Sequence, residues 1–346
     1  MMKVIKWLFL LLIIAIFVLG VVGNNFYNKY KTQQVQADIA SFEIKKGSSI
    51  RTVAKNLEKQ GIFEPALAFV ALAKILGQDT KIKAGEFSLK KGMTPEDVLK
   101  HFTQGATIQY QTKIIEGNTF KEIIKVIKAD TNLVQTLSDD DYRNIMSLMG
   151  TVEGDKYNHP EGWFFPDTYS YPRNTTDLQF LKRSHKAMIK YLKKEWENRE
   201  VHPKIKTPYD ALILASIVEK ETGQSSERPM IARVFLNRLE KGMMLQTDPT
   251  IIYGLGDAFD GNIRKRDLKK DNPYNTYTRT GLTPTPITTP SAEDIKAVLH
   301  PAQSDALYFV ARGDGTSHFS KTYSEHKKAV IRYQLKGNAK RYQGDK

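Results

Sequence analysis

The chain reads as an α+β protein: an N-terminal membrane-spanning helix, a small α/β subdomain and a larger mixed α+β domain. Three observations carry that reading. An unbroken apolar run lies near the N-terminus. After it, a short alternating strand, a glycine turn and an amphipathic helix recur. Further on, apolar residues fall at helical spacing between long stretches rich in aromatics and proline. The 346 residues give room for about two domains at roughly 150 residues each. The 40% hydrophobic and 10% aromatic content excludes a wholly disordered chain, and the absence of cysteine excludes disulfides, thiolate zinc sites and cysteine nucleophiles.

Trp7 to Val22 is apolar throughout, and Val4 and Ile5 extend the run. As a helix, Val4 to Gly23 spans roughly 30 Å, one hydrocarbon core. A cleaved signal peptide is the competing reading, but the run exceeds the usual signal core and no A-x-A follows. The expectation is a retained single-pass anchor. Lys3 and Lys6 precede it and Lys29 and Lys31 follow it, so nearby charge barely sets orientation. A short tail inside and a large domain outside is the simpler topology. No second run is long enough to span.

The formal net charge is +14. Lys and Arg are interspersed with acids and no nucleic-acid motif appears, so no nucleic-acid partner is expected. A solvated surface explains such a charge. Outside a membrane, lipid head groups and cell-wall carboxylates are the available anions.

Phe42-Glu-Ile-Lys-Lys-Gly-Ser-Ser recurs 45 residues later as Phe87-Ser-Leu-Lys-Lys-Gly-Met-Thr. Phe42 aligns with Phe87, Ile44 with Leu89, Gly47 with Gly92, Val53 with Val98 and Leu57 with Phe102. Lys113-Ile-Ile-Glu-Gly-Asn-Thr opens a looser third copy. Each copy predicts a strand, a glycine turn, a Ser or Thr cap and an amphipathic helix. Pro65 to Leu76 adds a helical stretch between the first two. This strand–helix–helix–strand order resembles the LysM glycan-binding fold; a small α+β spacer without a ligand has the same pattern.

Later segments hold the candidate chemistry. Thr207-Pro-Tyr-Asp predicts a helix start, and Leu212 to Val218 is apolar nearly all round, so the helix is expected to be buried. Glu219 and Glu221 lie at its end, turned apart by about 200°. A lone glutamate at the end of a buried helix suits a general acid, because apolar surroundings disfavour its charged form. Two solvated acids at a fraying end are the alternative, and the helix alone does not choose between Glu219 and Glu221. No acid obviously adjoins Glu219. A second helix is expected over about Glu227 to Lys241, with Val234, Phe235 and Leu239 in the core. Leu245-Gln-Thr-Asp-Pro-Thr-Ile-Ile-Tyr brings Gln246, Asp248 and Tyr253 near one another, and Asn272-Pro-Tyr-Asn-Thr-Tyr adds Asn275 and Tyr277. Rings, amides and carboxylates of this kind suit sugar recognition, though Asp248 and Asn275 also suit turns. The seven histidines are scattered, and neither a metal site nor a cofactor is expected.

Several ordered blocks then carry a resemblance. They are Glu161-Gly-Trp-Phe-Phe-Pro-Asp-Thr-Tyr, Ala215-Ser-Ile-Val-Glu-Lys-Glu-Thr, Arg233-Val-Phe-Leu-Asn-Arg-Leu, Leu245-Gln-Thr-Asp-Pro-Thr, Tyr274-Asn-Thr-Tyr, Tyr308-Phe-Val-Ala and His318-Phe-Ser-Lys-Thr-Tyr with Glu325 and His326. Together they resemble the YceG-like family over nearly the whole chain. Gly281-Leu-Thr-Pro-Thr-Pro-Ile departs from the family's usual G-L-P-P-G-P-I, placing Thr283 and Thr285 in that loop.

The resemblance implies an endolytic peptidoglycan lytic transglycosylase held at the cell inner membrane, with its catalytic domain outside the cytoplasmic membrane. It implies Glu219 as the catalytic residue, since the family's glutamate is the first of the V-E-K-E-T block. It implies cleavage between N-acetylmuramic acid and N-acetylglucosamine, 1,6-anhydro ends, termination of nascent glycan strands and association with peptidoglycan synthases. Gln246, Asp248, Asn275 and Tyr277 are the expected substrate-binding residues. The expected organisation is a cytoplasmic tail and anchor over 1–24, a linker over 25–40, a LysM-like subdomain over 41–105 and a YceG-like catalytic domain over 106–340.

Overall fold

The computed structural model describes residues 2–150 and 158–342. The chain is α+β and divides into two compact units, one running to Tyr110 with Ser170–Asn174, the other comprising Gln111–Tyr169 and the chain from Thr175.

The first unit begins with α1 (Met2–Lys31). Trp7–Lys31 is, among the described residues, the one helix long and apolar enough to cross a membrane, and its side chains from Trp7 to Asn25 are exposed. The sequence reads residues 25–40 as a linker. Instead α1 continues through Lys31, and Tyr30 and Val35 are buried in this unit's core, with Tyr27 packed against it. Next come β1 (Ile39–Ile44), α2 (Ile50–Lys59), α3 (Ala66–Ile75), β2 (Gly85–Leu89) and α4 (Pro95–Gln104).

The repeat seen in the sequence has a structural meaning here. β1 and β2 pair antiparallel with Phe42 opposite Phe87, so the two aligned phenylalanines share one face. Phe102 of α4 stacks on Phe42 at 5.3 Å between ring centroids and meets Phe87 edge-on at 5.1 Å. Gly47 and Gly92 take positive φ in the turns, and Ser49 and Thr94 cap α2 and α4. Glu86, on the opposite face of β2, is buried. Its desolvation is outweighed by hydrogen bonds from Ser41 and Tyr110 and by Arg173 at 2.9 Å, which hold its carboxyl below the usual range.

β3 (Gln109–Ile114) carries the chain into the second unit, and α5 (Phe120–Ala129) follows behind Gly117 and a Thr119–Glu122 capping box, completing the third copy. The remaining elements are α6 (Asp139–Arg143), α7 (Ile145–Met149), β4 (Asp167–Pro172), α8 (Asp177–Glu197), α9 (Pro208–Glu221), α10 (Arg228–Glu240), α11 (Asp248–Leu255), α12 (Lys265–Lys269), α13 (Ala292–Leu299), β5 (Tyr308–Ala311), β6 (Ser317–Ser320) and α14 (Tyr323–Tyr333). β3 pairs with β4, and β5 pairs antiparallel with β6.

The second unit is built around α9. Thr207 caps it and accepts the Asp210 N–H, while Asp210 accepts the Thr207 N–H at 2.8 Å, and Pro208 opens its first turn. Ala211 to Val218 are all buried, as the all-round apolar sequence predicts, with α8, α10, α11 and α13 packed around them. In α10, Val234, Phe235 and Leu239 are core residues.

Candidate active site

Glu219 stands in the last turn of α9, where the buried helix reaches a cleft of about 550 Å³. Glu116, Gly117, Asn118, Glu221 and Arg228 also line it. The Gly117 turn is pinned beside α9 by two backbone bonds, Gly117 N–H to Thr289 at 2.9 Å and Thr289 N–H to Asn118 at 2.8 Å. Lys220 donates to the Gly117 carbonyl at 3.3 Å. Gly117 has φ of +76°, and a Cβ there would sit 3.2 Å from Glu219 Oε1. A glycine therefore serves both the turn and the close approach to the carboxyl.

The other edge of Glu219 faces charge. Arg228, at the start of α10, lies 3.5 Å from Glu219 Oε2, 2.5 Å from Glu293 and 2.9 Å from Asp294 Oδ1. Its closer bonds thus go to the two acids in the first turn of α13. Asp294 is fully buried and shares the Arg228 guanidinium with Glu219. Burial and the negative charge of Asp294 raise the proton affinity of Glu219 well above that of an ordinary carboxylate. Arg228 opposes the shift, and Glu116 adds to it.

Asp294 overturns the expectation that no acid adjoins Glu219. It lies 75 residues beyond Glu219 in a Ser291-Ala-Glu-Asp stretch, where sequence shows only a capping box. Arg228, Glu116 and Gly117 were likewise missed. Only the glycine turn of the third repeat pointed toward that region.

Glu221 turns away from Glu219, as the helical geometry requires. Its carboxyl accepts the Thr247 hydroxyl, and burial raises its pKa despite that bond. Glu221 also lines a second cleft, of about 460 Å³, with Arg238, Gln246, Asp248, Tyr277 and His326. Tyr277 donates to Asp248 at 2.6 Å. The structure thus groups Gln246, Asp248 and Tyr277, with Glu221 common to both clefts.

Asn275 does not join them. It is fully buried and lines neither cleft. Its amide donates to the carbonyls of Asp267, Leu268 and Lys270, and its oxygen accepts the Tyr277 N–H at 2.8 Å. The side chain is spent on shaping the loop that presents Tyr277. Tyr253 also stands elsewhere: its hydroxyl donates to Glu161 at 3.1 Å. Glu161 is buried, accepts the Phe120 N–H at 2.8 Å and is pushed up to about 7 by desolvation. Thr283 and Thr285 are buried, and their hydroxyls bond carbonyls of their own loop.

The model of the YceG-like family matches residues 42–332. The endolytic murein transglycosylase of Bacillus subtilis (strain 168) is 34% identical over 339 residues, covering 92% of this chain and 93% of that protein. The endolytic murein transglycosylase of Streptococcus pneumoniae serotype 2 is 29% identical, over 84% of this chain and 57% of that protein. A crystal structure of a YceG-like protein from Listeria monocytogenes superposes with a TM-score of 0.54 at 31% identity, covering 85% of this chain and 99% of that one. With the match spanning most of its length and the sequence blocks in order, this chain belongs to the YceG-like family.

Proposed function

We infer that this chain is a murein transglycosylase, a lyase acting on peptidoglycan, and that Glu219 carries the chemistry. Relatives bearing that name support the activity class. The single observation behind the mechanism is the position of Glu219, a buried carboxyl of raised proton affinity with one oxygen toward a cleft.

In the proposed reaction, protonated Glu219 donates to the glycosidic oxygen between N-acetylmuramic acid and N-acetylglucosamine. The bond from C1 of the muramic acid to that oxygen breaks, and an oxocarbenium-like centre develops. Ionised Glu219 then takes the proton of the same sugar's 6-hydroxyl as O6 bonds to C1, closing a 1,6-anhydro ring. The nucleophile is already part of the substrate, so proximity replaces an activated water. Glycosidases that use two carboxylates hold them about 5–9.5 Å apart, across the sugar. Asp294 shares Arg228 with Glu219 and has no exposed surface, so it cannot act on a sugar or a water. That removes Asp294 as the second carboxylate of a hydrolytic pair.

Gln246, Asp248 and Tyr277 are read as glycan contacts in the adjoining cleft. The strand–helix–helix–strand segment of residues 41–105 is read as a LysM-like subdomain, on the order of its elements. α1 is read as a single-pass anchor in the cell inner membrane, with the rest of the described chain outside the cytoplasm. The substrate is then a nascent glycan strand, delivered by peptidoglycan synthases at the same surface, and cutting within it ends elongation.

The test is digestion of long glycan strands by the detergent-solubilised full chain, with fragments sized by chromatography. Internal cutting predicts fragments of intermediate length early in the reaction, absent with Glu219→Gln. Release of terminal disaccharides alone, or equal cutting by the variant, would overturn the reading.

A further inference from the structure

Two carboxyl groups on one guanidinium are more than a single acid requires. Asp294 is held firmly. Its Oδ2 accepts the Ser291 N–H at 2.9 Å and the Ser291 hydroxyl at 2.5 Å, in the capping box of α13. Its Oδ1 faces Arg228 Nε at 2.9 Å, and Arg228 also reaches Glu219 Oε2 at 3.5 Å. Glu219 Oε2 and Asp294 Oδ1 are both sealed from solvent, and apart from the ion pairs to Arg228 no donor serves them. Ionised carboxylates only accept hydrogen bonds. With Asp294 on the same guanidinium and out of water, a further negative charge at Glu219 is disfavoured.

We propose that Asp294 is a positioning residue, whose carboxyl on the shared Arg228 guanidinium keeps Glu219 in the form that delivers a proton. This rests on Glu219 being the acid of the proposed reaction. Asp294 never touches the sugar. When Glu219 passes its proton to the glycosidic oxygen and the C1–O bond breaks, its carboxylate is left beside Asp294, offset by Arg228. That state recovers a proton readily, and the 6-hydroxyl supplies it as the C1–O6 bond forms. One arrangement thus serves both halves of the reaction, the delivery and the return.

Other charges facing Glu219 come from each neighbouring element. Glu293 on α13 shares Arg228, Glu116 in the turn before α5 adds a like charge, and Glu122 of α5 lines the same cleft. Lys220 and Glu221 lie on α9 itself. α8 and α11 also pack on α9, but His185 is engaged by the Trp163 carbonyl and Asp248 by Tyr277.

The test compares the pH dependence of kcat for the full chain, Asp294→Asn and Asp294→Glu, with Glu219→Gln alongside. Asp294→Asn keeps the cap acceptor but removes the charge, so the alkaline limb is expected to move down by about one pH unit or more. Asp294→Glu should restore the limb. An inactive Glu219→Gln with an unmoved limb in Asp294→Asn would overturn the role of Asp294 alone. An active Glu219→Gln would overturn the underlying mechanism as well. Should Asp294→Asn fail to fold, infrared difference titration of wild type against Glu219→Gln decides. A Glu219 carboxyl still protonated at neutral pH is expected, and ionisation in the ordinary carboxylate range would refute the proposal.

Discussion

Ser216, one turn before Glu219, accepts the amide N–H of Ile287 at 2.9 Å and donates to the Ile213 carbonyl at 2.7 Å. This buried hydroxyl fastens the proline-rich loop to the helix that carries the candidate acid. Ser216→Ala would leave the Ile287 amide buried without a partner, at a cost of about 1–3 kcal/mol. The expected outcome is a lower thermal midpoint, with the loss concentrated in the second unit. Hydrogen exchange at Ile287 checks it, because its amide should lose protection in the variant.

Gly117→Ala should impair turnover more than stability. The left-handed φ costs about 1 kcal/mol for a residue with a Cβ. The added methyl would also press on Glu219 Oε1, which lies 3.2 Å from where it must go. A displaced acid is expected to lower kcat on the order of 10- to 100-fold, with the fold retained. Steady-state kinetics beside a melting curve separate the two effects.

Tyr277→Phe removes the 2.6 Å bond to Asp248, and Asp248→Asn leaves its acceptor in place but takes away the charge. If these side chains bind glycan equally in the ground and transition states, KM should rise with kcat nearly unchanged. A net loss of roughly 1 kcal/mol corresponds to about fivefold. A fall in kcat with constant KM would place them in the chemistry instead.

Glu161 gives a pH dependence of stability with a definite sign. Burial pushes its folded pKa up to about 7 from an unreacted value of 4.5, so the native state holds a proton that the unfolded chain has lost. Its contribution is therefore fully present below 4.5 and is lost as pH rises toward 7, a change of roughly 3 kcal/mol at most. Glu161→Gln stays neutral and should lose this dependence, so its melting temperature relative to wild type should climb between pH 4.5 and 7. Parallel curves over that range would show that Glu161 ionises normally.

The parts of this structure written in short stretches of sequence were legible. Thr207-Pro-Tyr-Asp and Thr94-Pro-Glu-Asp form the expected capping boxes, because a cap involves residues three apart. The phenylalanines of the repeat, Phe42 and Phe87, meet across a ladder because both copies start in the same register. Helix phase separated Glu219 from Glu221 correctly, yet could not say which one meets a cleft. That depends on Arg228, Asp294 and the Gly117 turn, contributed by distant segments. Asn275 shows the opposite failure. Its amide has the chemistry of a sugar contact, but neighbouring loop carbonyls consume it.

The most direct test of the central claim is mass spectrometry of glycan ends produced by the full chain in water enriched in oxygen-18, with Glu219→Gln as control. Attack by the sugar's own 6-hydroxyl predicts 1,6-anhydro-muramic ends without solvent oxygen, formed by wild type and not by the variant. Reducing ends carrying oxygen-18 would contradict the account, since water would then be the nucleophile and another group would have to activate it.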